Sequence, residues 1–275
     1  MIVAGLLARR PSLLAHPDWS AINNVKSNDD NSTFALEQAQ IFDILAQLPT
    51  LYYKQDIITL SSAAESANTA TSSKRKSSLS DLQSILGQAL ILLDKIKGKM
   101  KQWKVSYPDT EYTAFPCRIV PSVQPYPCTV VTHFSSRYRA YLSTLYNSTI
   151  ILINQFIVSI NWFLPDTPTS ASLIISASEQ ISAAVMEIIQ SIDYELEYIG
   201  KTARDSFYLF FPIRTACQAL TKSTSAESLS QKLWLEDVHT LIANRAGAWT
   251  YSKTIFGVES IGCINTPENM VSLRW

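Results

Sequence analysis

Tyr141 to Pro165 runs 25 residues without a charge. A stretch that long and neutral has two destinations, a bilayer or the middle of a protein core. Within it Asn147, Asn154 and Asn161 recur every seven residues, with Gln155 beside the second. At about 3.6 residues per turn the three asparagines share one helical face, and each amide is costly in lipid. The pattern predicts a buried helix with one polar stripe, over about Ser135 to Leu164, and no membrane span.

A second apolar segment, Phe207-Tyr208-Leu209-Phe210-Phe211-Pro212-Ile213-Arg214, lacks the alternation of a half-buried strand and is greasy on every side. Such an element belongs at the centre of a fold. Asp205 or Ser206 can cap it, Ala216, Ala219 and Leu220 favour extending it, and Pro212 predicts a kink or a fresh start.

The rest of the chain reads as helices of the same kind. Ser32 or Thr33 is expected to cap one that carries Phe34, Ile41, Leu45 and Leu48, bends or breaks at Pro49, and resumes through Leu51, Tyr52, Ile57 and Ile58. Residues 61–78, rich in Ser, Ala, Thr and Asn, are expected to be a flexible, low-complexity insertion. Leu82, Leu86, Leu90, Leu93, Ile96, Met100 and Trp103 then recur at steps of three and four, which predicts an amphipathic helix from Leu79 or Ser80 to about Tyr107. Pro108, Pro116, Pro121, Pro125 and Pro127 make 108–132 a long extended loop. Further helices are expected over Thr169 or Ser170 to Ile199 and Ser225 to Arg245, with Gly247 at a helix end and a short helix over Ala248 to Phe256. Ile2 to Ala8 reads as the tail of a helix, since the arginines follow the apolar run instead of preceding it as in a signal peptide. The expected fold is all-α, a multihelical single domain over 1–275 with roughly seven to nine helices and two long loops.

Composition narrows the function. Hydrophobic residues make up 47% and charged residues 17%, with 7 Gly, as in a packed helical protein. The net charge is zero and the pI about 6.8, so the whole chain has no pull toward nucleic acid or anionic lipid. Charge is nonetheless uneven. Lys74, Arg75, Lys76, Lys95, Lys97, Lys99, Lys101 and Lys104 face only Asp81 and Asp94 between 74 and 104, a local balance of plus six. Lys74-Arg75-Lys76, flanked by serines, is compatible with a nuclear import signal. The five lysines from Lys95 to Lys104 read first as stems snorkelling beside a buried stripe and second as phosphate contacts.

Catalytic patterns are missing from the sequence. It contains no G-x-S-x-G, phosphate loop, G-x-G-x-x-G or H-E-x-x-H, and His16, His133 and His239 are far apart. Asp193 and Glu197, with Lys201 four further on, read as a solvated salt-bridged face. Asn31-Ser32-Thr33 and Asn147-Ser148-Thr149 match the glycosylation acceptor pattern by chance, because no secretion signal accompanies them. No enzyme activity, cofactor or metal is expected.

Several short motifs follow one another in order: Ser191-Ile192-Asp193-Tyr194-Glu195-Leu196, the Phe-rich segment ending Phe211-Pro212-Ile213-Arg214, Trp234-Leu235-Glu236, and Asn244-Arg245-Ala246-Gly247-Ala248-Trp249. Near the start stand Arg9-Arg10-Pro11-Ser12-Leu13-Leu14, Pro17 and Trp19. In this order they resemble the helical regulatory region of fungal zinc-cluster transcription factors. The resemblance implies transcriptional control of a metabolic gene set in the nucleus, or failing that a cytoplasmic role. It also implies contacts with the transcription machinery, a partner regulator or a small-molecule effector. One departure is plain. Those regulators read DNA through a binuclear zinc cluster built on C-x2-C pairs, whereas Cys117, Cys128, Cys217 and Cys263 are scattered and form no such pair. The cluster is absent, and no direct DNA binding is expected from this chain. The alternative is a helical accessory enzyme or ligand-binding protein whose site gathers distant residues, with Asn147, Asn154 and Asn161 as its polar lining.

Overall fold

The computed structural model describes residues 9, 30–66, 72–106, 111–113, 127–128, 130–164, 167–199, 207–221, 223 and 225–245. They form an all-α domain with six helices among the described residues. These are α1 (Asp30–Ser66), α2 (Ser72–Ser106), α3 (Arg137–Asn161), α4 (Pro168–Ile199), α5 (Phe207–Leu220) and α6 (Ala226–Arg245). Two three-residue strands, β1 (Glu111–Thr113) and β2 (Val131–His133), pair antiparallel with Tyr112 opposite Thr132. This ladder lies inside the segment expected to be a loop, where the β-branched Val131 and Thr132 favour it. The expected helices at 2–8 and 248–256, and Gly247, lie outside the described residues.

Two compact units can be distinguished, each discontinuous in sequence. Unit 1 takes residues 1–106 and 152–181, and unit 2 takes 107–151 and 182–275. Both draw on α3 and α4, so neither is cut from the chain at a linker.

In unit 1, α1 packs on α2 as an antiparallel pair. Lys99 Nζ donates to Gln40 Oε1 near the start of α1, and Lys54 Nζ donates to Gln88 Oε1 at 3.5 Å, so the sequence numbers run in opposite directions. Ile41, Ile44, Leu45, Leu48, Leu51 and Tyr52 are buried on α1. On α2 the buried set is Leu82, Ile85, Ala89, Leu92, Leu93, Ile96, Met100 and Trp103. The stripe is therefore as expected at Leu82 and from Leu93 onward, while between them Ile85 and Ala89 are buried and the expected Leu86 and Leu90 lie at its half-buried margin. Burial of each large side chain contributes about 1.5 to 3 kcal/mol.

That packing explains the first of three corrections. Pro49 does not break α1, which runs on to Ser66. The missing hydrogen bond costs about 3 kcal/mol, and burial of Leu48, Leu51 and Tyr52 around it outweighs that. The insertion expected at 61–78 is helical over 61–66 and 72–78, because α1 ends and α2 begins inside it. Likewise α1 starts at Asp30, so Ser32 and Thr33 sit in its first turn instead of preceding it.

Unit 2 holds the antiparallel pair of α5 and α6. Leu209, Phe210, Pro212, Ile213 and Ala216 are buried on α5, and Trp234, Leu235, Val238 and Ile242 on α6. Of the kink or fresh start expected at Pro212, the fresh start is absent, for the reason given at Pro49: α5 continues from Phe207 to Leu220. Two helix starts carry side-chain caps that the sequence reading did not assign. Thr167 Oγ1 accepts from the Ser170 N–H at 3.1 Å with Pro168 in the first turn, and Ser225 Oγ accepts from the Ser228 N–H at 3.1 Å.

The uncharged stretch forms α3, and every residue from Leu142 to Ile157 is buried. Among the described residues, the helix long and apolar enough to cross a membrane is instead α4 over Pro168–Leu196. Its later part, Ile188, Ile189 and Ser191 to Leu196, is buried in unit 2.

Candidate functional site

Three clusters of polar or titratable groups are candidates. The first gathers on α1 in unit 1. Arg9, whose φ of 48° lies in the left-handed region, sets its Nη1 2.7 Å from Asp56 Oδ1. Its Nη2 donates to Gln55 Oε1 at 3.3 Å, and its guanidinium carbon stands 4.8 Å from the Tyr52 ring centre. Tyr52 in turn meets Phe156 of α3 edge-on at 4.7 Å. One fork thus engages a carboxylate, an amide and a π face, which a lysine could not do. Burial pushes the Tyr52 hydroxyl up to about 12, with Arg9 opposing and Asp56 reinforcing. Burial also raises Asp56, and Arg9 again opposes. A phenol held protonated and a carboxylate occupied by arginine make a clamp that joins the residue at position 9 to α1.

The second cluster lies between α5 and α6 in unit 2. The Phe210 ring meets His239 edge-on at 5.0 Å. Burial lowers the His239 imidazole, and the nearby Arg214 cation lowers it further. Desolvation also lowers Arg214. Burial pushes the Cys217 thiol up to about 12, Glu236 adding to the rise and Lys232 opposing it. A nucleophilic cysteine needs the reverse, a thiolate favoured by cations. Cys217 and His239 are therefore set for packing, as a protonated thiol and a neutral ring.

The third is the asparagine stripe of α3, which falls in two parts. In unit 2, Asn147 Nδ2 donates to Ser143 O at 3.0 Å and to Glu187 Oε2 at 3.1 Å. In unit 1, Asn161 Nδ2 donates to Ile157 O at 2.8 Å. Ser148 and Thr149 donate to the carbonyls of Thr144 and Leu145 at 2.7 and 2.8 Å. Much of the stripe is thus satisfied by its own helix, as buried polar groups must be. Asn147, Ser148 and Thr149 are buried, so that acceptor pattern has no access to glycan chemistry in the folded chain.

Other sequence candidates are dispersed. Lys74, Arg75 and Lys76 fall within α2 and not in an open loop, their side chains lying outside the description. His133 packs edge-on against Tyr194 at 5.9 Å, beside a Phe134–Tyr194 contact at 5.4 Å. Asp193 is 9% exposed and Glu195 3%, so the solvated acidic face expected there is corrected at Asp193: it sits on the buried stretch Ser191 to Leu196. Among the described residues no group of three or more His, Cys, Asp and Glu could hold a metal. The Arg9 clamp escaped sequence reasoning because its partners lie more than forty residues away.

No known family model, characterised protein or solved structure matches the chain.

Proposed function

We propose that the chain is a regulatory module of the fungal zinc-cluster type whose 275 residues do not themselves include the zinc-cluster DNA reader. It modulates a metabolic gene set through contacts with the transcription machinery, a partner regulator or a small effector. In this reading 1–275 is one domain of seven to nine helices, the nucleus is its compartment, Lys74-Arg75-Lys76 serves import, and the chain performs no reaction.

The observation that carries the reading is the order of the short motifs along successive helices. The S-I-D-Y-E-L segment ends α4, F-P-I-R falls in α5, and W-L-E falls in α6. Each supplies buried residues, among them Tyr194, Pro212, Ile213, Trp234 and Leu235. The tuning of Cys217 and Tyr52 away from nucleophile and base agrees with a role in binding over one in reaction.

Expressing the chain with a fluorescent tag and profiling transcripts after its deletion tests this. Nuclear accumulation together with altered transcripts supports it. A chain confined to cytoplasm or membranes, with transcripts unchanged, removes it. The second reading, a ligand-binding or accessory enzyme, is favoured by Gln155 Nε2 and Asn161 Oδ1, buried in unit 1 without a hydrogen-bond partner among the described residues. Buried amide atoms of this kind are ones a polar ligand can pair with, and a thermal-shift screen with polar metabolites distinguishes this reading from the first.

A further inference from the structure

The outward face of α2 carries features the fold does not use. Ile91 and Val105 are 68% and 74% exposed, and Gly98 stands midway between them. Recurring every seventh residue, the three lie along one line of the helix. At about 100° per residue, Lys95 and Lys101 flank that line roughly 60° to either side, with Lys99 and Lys97 further round. Lys95, Lys97 and Lys101 are exposed and do not cover the core as snorkelling stems would. Among the described residues no carboxylate stands within salt-bridge distance of these three. From Leu82 to Ser106 the five lysines face a single acid, Asp94, in a chain of zero net charge. A Cβ added at Gly98 would meet nothing within 4 Å, so the middle of the line is open to close approach.

We propose that this face docks an acidic amphipathic helix of another protein, laid alongside α2. Small apolar residues of the partner would sit over Ile91, Gly98 and Val105, while its glutamates would meet Lys95 and Lys101 and, further out, Lys97. Charges of opposite sign across a helix pair set the choice of partner, and here they carry more of the recognition than the two separated apolar contacts at Ile91 and Val105. Other occupants fit worse. A bilayer surface needs a continuous bulky apolar face, whereas Ile91 and Val105 are about 21 Å apart along the helix with Asp94 between them. A nucleic acid would set phosphates over that apolar line, with no arginine on it to grip them. A second copy of α2 would oppose lysine to lysine. This surface is independent of the regulatory role proposed above.

Fluorescence anisotropy on the full chain tests it. The probe is a synthetic helical peptide with an apolar heptad seam flanked by glutamate, and the control is the same peptide with lysine in place of glutamate. The acidic peptide is expected to bind, more weakly as salt is raised, and the basic one not. Changing Lys95, Lys97 and Lys101 together to glutamate should weaken the acidic peptide roughly ten- to hundred-fold and create binding of the basic one. These positions are exposed, so unchanged thermal melts confirm the fold. The reciprocal gain cannot come from a damaged protein. Equal binding of both peptides, no binding of either, or tighter binding to phosphatidylserine vesicles or duplex DNA than to the acidic peptide overturns the proposal.

Discussion

Arg9 and Asp56 stand 2.7 Å apart with side chains only 14% and 23% exposed, which ties a residue near the start of the chain to the middle of α1. Removing Arg9 leaves Asp56 without its guanidinium and Gln55, 1% exposed, without its donor. Arg9→Ala should destabilise the chain by roughly 1 to 3 kcal/mol, read as a shift of the urea midpoint. Arg9→Lys should recover less than half of that, since an ammonium cannot reach the carboxylate, the amide and the ring together. Full recovery by lysine would mean that only the charge matters.

His239 supplies a pH dependence with a definite sign. Its pKa in the folded chain lies below the ordinary 6.5, through burial and the Arg214 charge. Between that lowered value and 6.5 the unfolded chain binds more protons than the folded one, so stability rises with pH across the window. The contribution is complete above 6.5 and is lost as the medium is acidified through the window. Denaturation midpoints from pH 5 to 7.5 should flatten in His239→Gln relative to the parent. An identical slope in both proteins rejects the assignment.

Cys217 should be slow toward alkylating reagents. Its thiol is raised from 9.0 to about 12, so at pH 8 the thiolate fraction falls roughly thousand-fold. Mass-spectrometric mapping of iodoacetamide adducts should find Cys217 protected in the native chain and labelled in urea. Rapid native labelling would show that the site between α5 and α6 opens readily.

Asn147 donates to Glu187, so an aspartate in its place would set one carboxylate against another. Asn147→Asp should cost about 2 kcal/mol or more at pH 7 and regain part of it near pH 4, where one acid takes up a proton. A pH-independent loss would point to packing as the cause.

Phe210 is 5% exposed and lies against His239. Phe210→Ala should remove roughly 3 to 5 kcal/mol and lower soluble yield. A near-neutral melt would shift the centre of unit 2 away from α5.

Much of this was legible in the sequence. The uncharged run at 141–165 dictated a buried helix, and Leu142 to Ile157 are buried without exception. Steps of three and four identified α2, α4 and α6, because a helix repeats its faces at that interval whatever surrounds it. The start of α6 was placed to within a residue at Ser225, whereas the cap of α4 at Thr167 was missed, because that helix was expected to begin at Thr169 or Ser170 and begins at Pro168.

Contacts between distant residues were not legible. Pro49 read as a bend or break and Pro212 as a kink or fresh start, yet both helices continue through them, since the local penalty is smaller than the burial that tertiary packing supplies around each proline. The expected stripe of α2 already left Ile91 and Val105 outside it, but the burial of Ile85 and Ala89 in place of Leu86 and Leu90 depends on packing against α1. The meeting of Arg9 with Gln55 and Asp56 follows no sequence period. Periodicity is a property of one segment and was determined by the chain alone. Which face is covered, and which distant charge finds its partner, depends on the surfaces that folding brings together.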